Sequence, residues 1–266
     1  MALAYERTGS GEPLVLLHGV THRRQAWAPL VDRLAPHRDL IMVDLPGHGE
    51  SPTLDPSAGT ALDQTIDQLG QLCAALGVSR PHVAGNSLGG RLALELAVRG
   101  QVRSATVLSP AGFWRANWDF SYTKAVFGTM RGIGRVIEPA VPKLTRSALG
   151  RGLMYAAIVA HPGRLDPDQA LHDYEAFKIA WPAYKAIVKE GTPFAGQIPE
   201  DIPVTIAWGT RDSLLLPYQA KRARRALPAA RHIPLPGCGH VPMSDDPAQV
   251  ASVLLQGSAS TQAAGI

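Results

Sequence analysis

Gly85-Asn86-Ser87-Leu88-Gly89 sets a serine between two glycines, at the point where the apolar run Pro81-His82-Val83-Ala84 gives way to a helical pattern over 88–96. The spacing is that of a nucleophile elbow. A serine on so tight a strand-to-helix turn is held in a strained backbone conformation with its oxygen exposed at the top of a sheet. Glycines two residues before and after it let neighbouring backbone approach where a Cβ would clash. The Leu88 amide then opens a helix N-terminus, where a developing oxyanion is stabilised. A serine hydroxyl needs a base, and the base needs an orienting carboxylate. Residues 203–209 read as a buried strand ended by glycine, and Thr210-Arg211-Asp212-Ser213 places Asp212 on the loop behind it. The strand over 231–235 runs into Pro236-Gly237-Cys238-Gly239-His240, so His240 also sits on a glycine-flanked loop. Ser87, Asp212 and His240 thus all fall at carboxyl ends of strands, where open α/β sheets carry their sites. Their order along the chain is nucleophile, acid, histidine.

The elements that must position these residues alternate. A short strand over 3–8 is followed by Pro13-Leu14-Val15-Leu16-Leu17 and by a strand over 39–45, and Ala105-Thr106-Val107-Leu108 is another. Helical patterns occupy 24–34, 62–76, 88–99, 217–226 and 247–256. Strands alternating with helices argue for an α/β fold with a mostly parallel, doubly wound sheet. The stretch 113–197 breaks that alternation, being helix-like and punctuated by glycine and proline. The tail over 257–266 is small and polar and is expected to fray.

Five motifs together resemble the α/β-hydrolase superfamily: His18-Gly19-Val20, Asp44-Leu45-Pro46-Gly47-His48-Gly49-Glu50-Ser51, Gly85-Asn86-Ser87-Leu88-Gly89-Gly90, Trp208-Gly209-Thr210-Arg211-Asp212 and Gly237-Cys238-Gly239-His240. The resemblance covers about 5–112 and 200–256. It implies an α/β-hydrolase fold with its core over 1–112 and 198–266 and a helical cap inserted over 113–197. It implies the catalytic triad Ser87, Asp212 and His240, with Val20 and Leu88 giving the oxyanion-hole amides. His18, Gly19 and His48 become loop-shaping residues. Members commonly carry a further strand before residue 3; without it the sheet should have seven strands. Asn86 and the pair Phe113-Trp114 border the expected site, which makes Asn86 and Trp114 substrate-contact candidates. The apolar cap runs 125–130 and 153–159 suggest a hydrophobic pocket, or side chains that only pack the cap on itself. Arg91 and Arg211 read as ion-pair formers rather than substrate clamps.

Composition narrows the partners. A hydrophobic share of 45% with 18% charged residues is that of a globular chain rather than a disordered one. The formal charge of +4 comes with no basic block interleaved with aromatics, which argues against nucleic acid. His22, His161 and His172 have no partner at metal-ligand spacing, so neither metal nor cofactor is expected. The two cysteines, Cys73 and Cys238, read as free thiols in a reducing cytoplasm. Cys238 is not on an elbow, which argues against a thiol nucleophile, and Gly9-Ser10-Gly11 is a turn rather than a dinucleotide fingerprint. No basic-then-apolar leader opens the chain and no apolar run is long enough to span a membrane, so the expected address is cytoplasmic.

The resemblance implies a serine hydrolase of the carboxylesterase or lipase kind, acting on an ester of a small to medium hydrophobic molecule. Epoxide hydrolases and dehalogenases carry aspartate at the elbow and are excluded by Ser87. A C–C hydrolase of the meta-cleavage-product type shares Gly-Asn-Ser-x-Gly-Gly, although such enzymes usually have a glycine-richer oxyanion loop and a tryptophan where Val241 stands. A cofactor-free perhydrolase, a ligand-binding protein with slow turnover, a cap that docks on anionic membranes and a homodimer stay open as alternatives.

Overall fold

The seven strands of the computed structural model, which describes residues 2–259, fall close to the runs read as strands from the sequence. The strands are β1 (Tyr5–Gly9), β2 (Glu12–Leu17), β3 (Arg38–Val43), β4 (His82–Asn86), β5 (Ser104–Leu108), β6 (Val204–Gly209) and β7 (Arg231–Leu235). They form one seven-stranded sheet in the order β1-β3-β2-β4-β5-β6-β7, parallel except for β1, which pairs antiparallel to β3. The chain leaves β2 for β3 on one side and then returns to β4 on the other. That switch opens a crevice beyond the carboxyl ends of β2 and β4, the place where such sheets bind ligands. It is the crevice between Gly19-Val20 and Ser87.

Side chains on a strand alternate faces, and the core follows that period. Val15, Leu17, Ile41 and Val43 enter one buried cluster, whereas Leu14, Leu16, Leu40 and Met42 enter the other. The central strands β4 and β5 are buried at every residue, as strands covered on both faces must be. The helices are α1 (Val31–Leu34), α2 (Ala61–Ala75), α3 (Leu88–Val98), α4 (Asn117–Ile137), α5 (Val141–Arg146), α6 (Ala148–Tyr155), α7 (Pro167–Ile179), α8 (Trp181–Ile187), α9 (Tyr218–Ala226), α10 (Pro242–Asp245) and α11 (Pro247–Gly257). Helices α2 and α3 back the first cluster and α11 backs the second. Helices α4 to α8 all fall between β5 and β6, where the alternation stops.

Two expectations need correction. The single helix over 24–34 is a 3₁₀ segment over Arg24–Leu30 followed by the one-turn α1. Pro29 lies inside that segment, and a proline there lacks the donor N–H and crowds the carbonyl four residues back. The tail does not fray from Gly257: Ser258 is buried, its hydroxyl donates to the Leu254 carbonyl at 2.7 Å, and the Arg38 guanidinium donates to its carbonyl at 2.7 Å. Residues 260–266 of the tail lie outside the described residues. Among the described residues no helix is long and apolar enough to cross a membrane.

Candidate active site

Ser87 stands between β4 and α3 at φ 55° and ψ −112°, a conformation that costs a non-glycine residue about 1–3 kcal/mol. Its peptide groups are anchored on three sides. Its N–H donates to the Leu108 carbonyl at 2.9 Å, and its own carbonyl accepts from Arg91 and Ala111, both at 3.0 Å. The flanking glycines are required by close approach. A Cβ on Gly85 would lie 2.1 Å from the Gly89 carbonyl oxygen, and one on Gly89 would lie 2.1 Å from that of Leu17. β4, α3 and the end of β2 therefore touch backbone to backbone beneath the serine.

Asp212 leaves the end of β6 fully buried, with one carboxylate oxygen accepting from the Leu214 and Leu215 amides at 2.9 and 2.8 Å. The other accepts from His240 Nδ1 at 2.9 Å. A carboxylate can only accept, so Nδ1 carries the proton and Nε2 keeps its lone pair for a second partner. The His240 loop is held from two sides. The Asn86 amide donates to the His240 carbonyl at 2.9 Å and to that of Leu108 at 3.1 Å. Asp245 of α10 accepts from the Gly239, Ala160 and His161 amides at 2.8, 3.1 and 2.8 Å. Ser87 and His240 line one cavity, where the serine hydroxyl makes no hydrogen bond to any described residue.

The loop after β2 is set by neutral histidines. The Leu45 amide donates to His18 Nε2 at 3.0 Å, so His18 Nδ1 carries a proton and donates to the Gly19 carbonyl at 2.7 Å. His48 lies against it with ring centroids 5.2 Å apart, and its Nδ1 meets the Pro46 carbonyl at 2.9 Å. Burial lowers both: His18 falls well below its ordinary value and His48 to about 4. Asp44, fully buried, accepts from the Arg24 and Glu50 amides at 2.6 and 3.0 Å and pairs with the Arg24 guanidinium. A Cβ on Gly49 would strike that carboxylate, which explains the Pro46-Gly47-His48-Gly49 run. Within this frame the Val20 amide finds no acceptor among the described residues, and the Leu88 amide is the first of α3, where a helix offers no carbonyl.

Two cavities meet at Ser87. One, of about 120 Å³, carries His240, Asn86 and Thr21 with Met130, Ile133 and Met154. The other, also of about 120 Å³, carries Leu88, Leu92, Ala111 and Trp114 with Phe120 and Ile187. Val20, Ser87, Phe127 and Leu214 border both. The apolar segments of the helical insertion thus face cavity as well as each other. Trp114 lines the second cavity, tilted against Phe120 with centroids 4.9 Å apart. Phe113 instead packs in the core against Phe194 and Trp208. Asn86 reaches the first cavity with both amide hydrogens already committed to backbone.

Arg91 is buried and pairs with Glu95 at 2.8 Å, whereas exposed Arg211 forms no ion pair among the described residues because its loop carries it into solvent. Cys238 is buried, and burial with Asp245 and Asp246 nearby pushes its thiol up to about 12, far from a thiolate nucleophile. Among the described residues no three histidine, cysteine or acidic side chains gather as a metal site. Sequence reading missed Asp245 and the hub at Asp44. For Asp245 the signal was weak: its donors are amides up to 85 residues away in the chain.

A strained serine after β4, a buried histidine–carboxylate pair after β6 and β7 and a parallel sheet with one antiparallel edge define the α/β-hydrolase class. The alpha/beta hydrolase family profile matches residues 14–253, and the chain belongs to that family. It is 28% identical to Lipase 1 of Psychrobacter immobilis over 256 residues, covering 91% of this chain and 75% of that one. Among solved structures, a membrane phospholipase A described as a bacterial virulence factor superposes with a TM-score of 0.75 at 24% identity, over 96% of this chain and 83% of that one. A thermophilic esterase from Thermogutta terrifontis superposes with a TM-score of 0.73 at 21% identity, over 96% and 92%. These two likenesses are of fold.

Proposed function

We propose that the chain is a serine hydrolase that cleaves carboxylic esters of small to medium hydrophobic molecules through an acyl-enzyme on Ser87. The observation that carries this reading is the strained Ser87 opening on the same cavity as the Asp212–His240 pair. His240 Nε2 takes the Ser87 proton as the oxygen attacks the carbonyl carbon, and Asp212 stabilises the imidazolium that forms. The Val20 and Leu88 amides hold the oxyanion, each worth about 3 kcal/mol to the transition state. His240 then protonates the departing alcohol. A water entering beside His240 gives up its proton there, adds to the acyl carbon and releases the acid with Ser87 restored. Every step uses only groups of the chain and water.

The helical stretch 113–197 is read as a cap over a core of 1–112 and 198–266. It walls both cavities with apolar side chains, which strengthens electrostatics at Ser87 by excluding water. The lipase relative supports ester chemistry. The test is turnover of 4-nitrophenyl esters from acetate to decanoate by the wild type and Ser87→Ala. Multiple turnovers that fall about 10⁴-fold or more in the variant are expected. Undiminished turnover in Ser87→Ala would remove Ser87 from the chemistry. Tight binding without turnover by the wild type would leave a ligand-binding protein in its place.

A further inference from the structure

The two cavities at Ser87 differ in chemistry. His240 lines one and not the other. Its Nε2 must hand a proton to the leaving oxygen, so under the ester reading the alcohol portion lies on the His240 side and the acyl chain on the Trp114 side. The His240 cavity is apolar for most of its wall, with Met130, Ile133, Leu165 and Phe177 among its lining, yet Asp173 of α7 also lines it.

That carboxyl is incompletely paired. The Gln169 amide donates to its Oδ1 at 2.6 Å. His22 Nδ1 stops 3.8 Å from the same oxygen, buried and with no hydrogen-bond partner, and the buried Nε of nearby Arg23 has none either. Asp173 Oδ2 accepts no hydrogen bond among the described residues. An acid that only fastened α7 to the turn at His22 would close on His22 or Arg23. This one holds an acceptor in a cavity where burial raises its pKa, against the opposing pull of His22, Arg23 and His172. An alkyl group packed there would strand a buried polar group, whereas a hydroxyl would satisfy it.

Resting on the ester reading above, we propose that Asp173, backed by His22, binds a hydrogen-bond donor on the leaving alcohol, so the favoured substrates are esters of diols or polyols rather than of plain alkanols. Two size-matched pairs test this: 4-hydroxybutyl butyrate against pentyl butyrate, and butyl 6-hydroxyhexanoate against butyl heptanoate. The wild type should favour the hydroxylated alcohol by about tenfold or more in kcat/KM and show no preference within the acyl pair. Asp173→Leu should erase that preference by improving the pentyl ester, and Asp173→Asn, which keeps an acceptor oxygen, should retain part of it. Equal rates on the first pair, a preference surviving in Asp173→Leu, or one confined to the acyl pair would overturn the assignment while leaving ester hydrolysis intact. Hydrolysis of none of the four esters would overturn the ester reading with it.

Discussion

At the scale of single residues, the site depends on side chains that fix one another's protonation and aim. Asp212 holds the His240 tautomer, so Asp212→Asn, which can offer an N–H to Nδ1, should lower kcat by about 10³–10⁴-fold with little change in KM. Steady-state kinetics on any turned-over ester checks this, and a loss confined to KM would contradict it. Asn86 works through its two bonds to the Leu108 and His240 carbonyls. Asn86→Ala strands both, and should cost about 2 kcal/mol of stability along with kcat; unchanged urea midpoint and kcat would return Asn86 to the role of substrate contact. The proposed triad residues were legible in the sequence because each follows a strand end with a glycine within three residues. The bonds that Asn86 makes, and any part for Asp245 and Asp173, were not, since they depend on which distant atoms these side chains meet.

At the scale of elements, the elbow requires three backbones in contact. Gly85→Ala would set a Cβ 2.1 Å from the Gly89 carbonyl oxygen and force β4 and α3 apart. It should yield little soluble folded protein. Gly128→Ala in α4, where nothing lies within 4 Å of the added carbon, should instead stabilise by up to about 1 kcal/mol. Equal thermal midpoints for the two variants would refute the close-packing argument. Strand positions and most helices follow from apolar runs and spacing. The 3₁₀ turn over Arg24–Leu30 was hidden because its apolar spacing is helical and only Pro29 betrays it. The second cavity was hidden too: Leu88 and Trp114 meet only once α3 and the insertion are packed.

At the scale of the whole molecule, the loop after β2 rests on buried neutral histidines, which couples folding to pH. His48 drops on folding from 6.5 to about 4. Between those values the unfolded chain binds a proton that the folded chain refuses. Its contribution is complete above about pH 6.5 and is lost progressively toward pH 4, by up to about 3 kcal/mol, with lowered His18 adding in the same sense. Urea midpoints should fall across that window, and His48→Gln, though weaker at pH 7, should show a shallower slope; an identical slope would exclude His48 as a source. Above all, the fold is proposed to activate one serine. Intact mass and peptide mapping after exposure to a fluorophosphonate, with Ser87→Ala alongside, test it most directly. A single adduct, on Ser87 and absent from the variant, is expected. No adduct on folded wild type, or one that persists in Ser87→Ala, would contradict it.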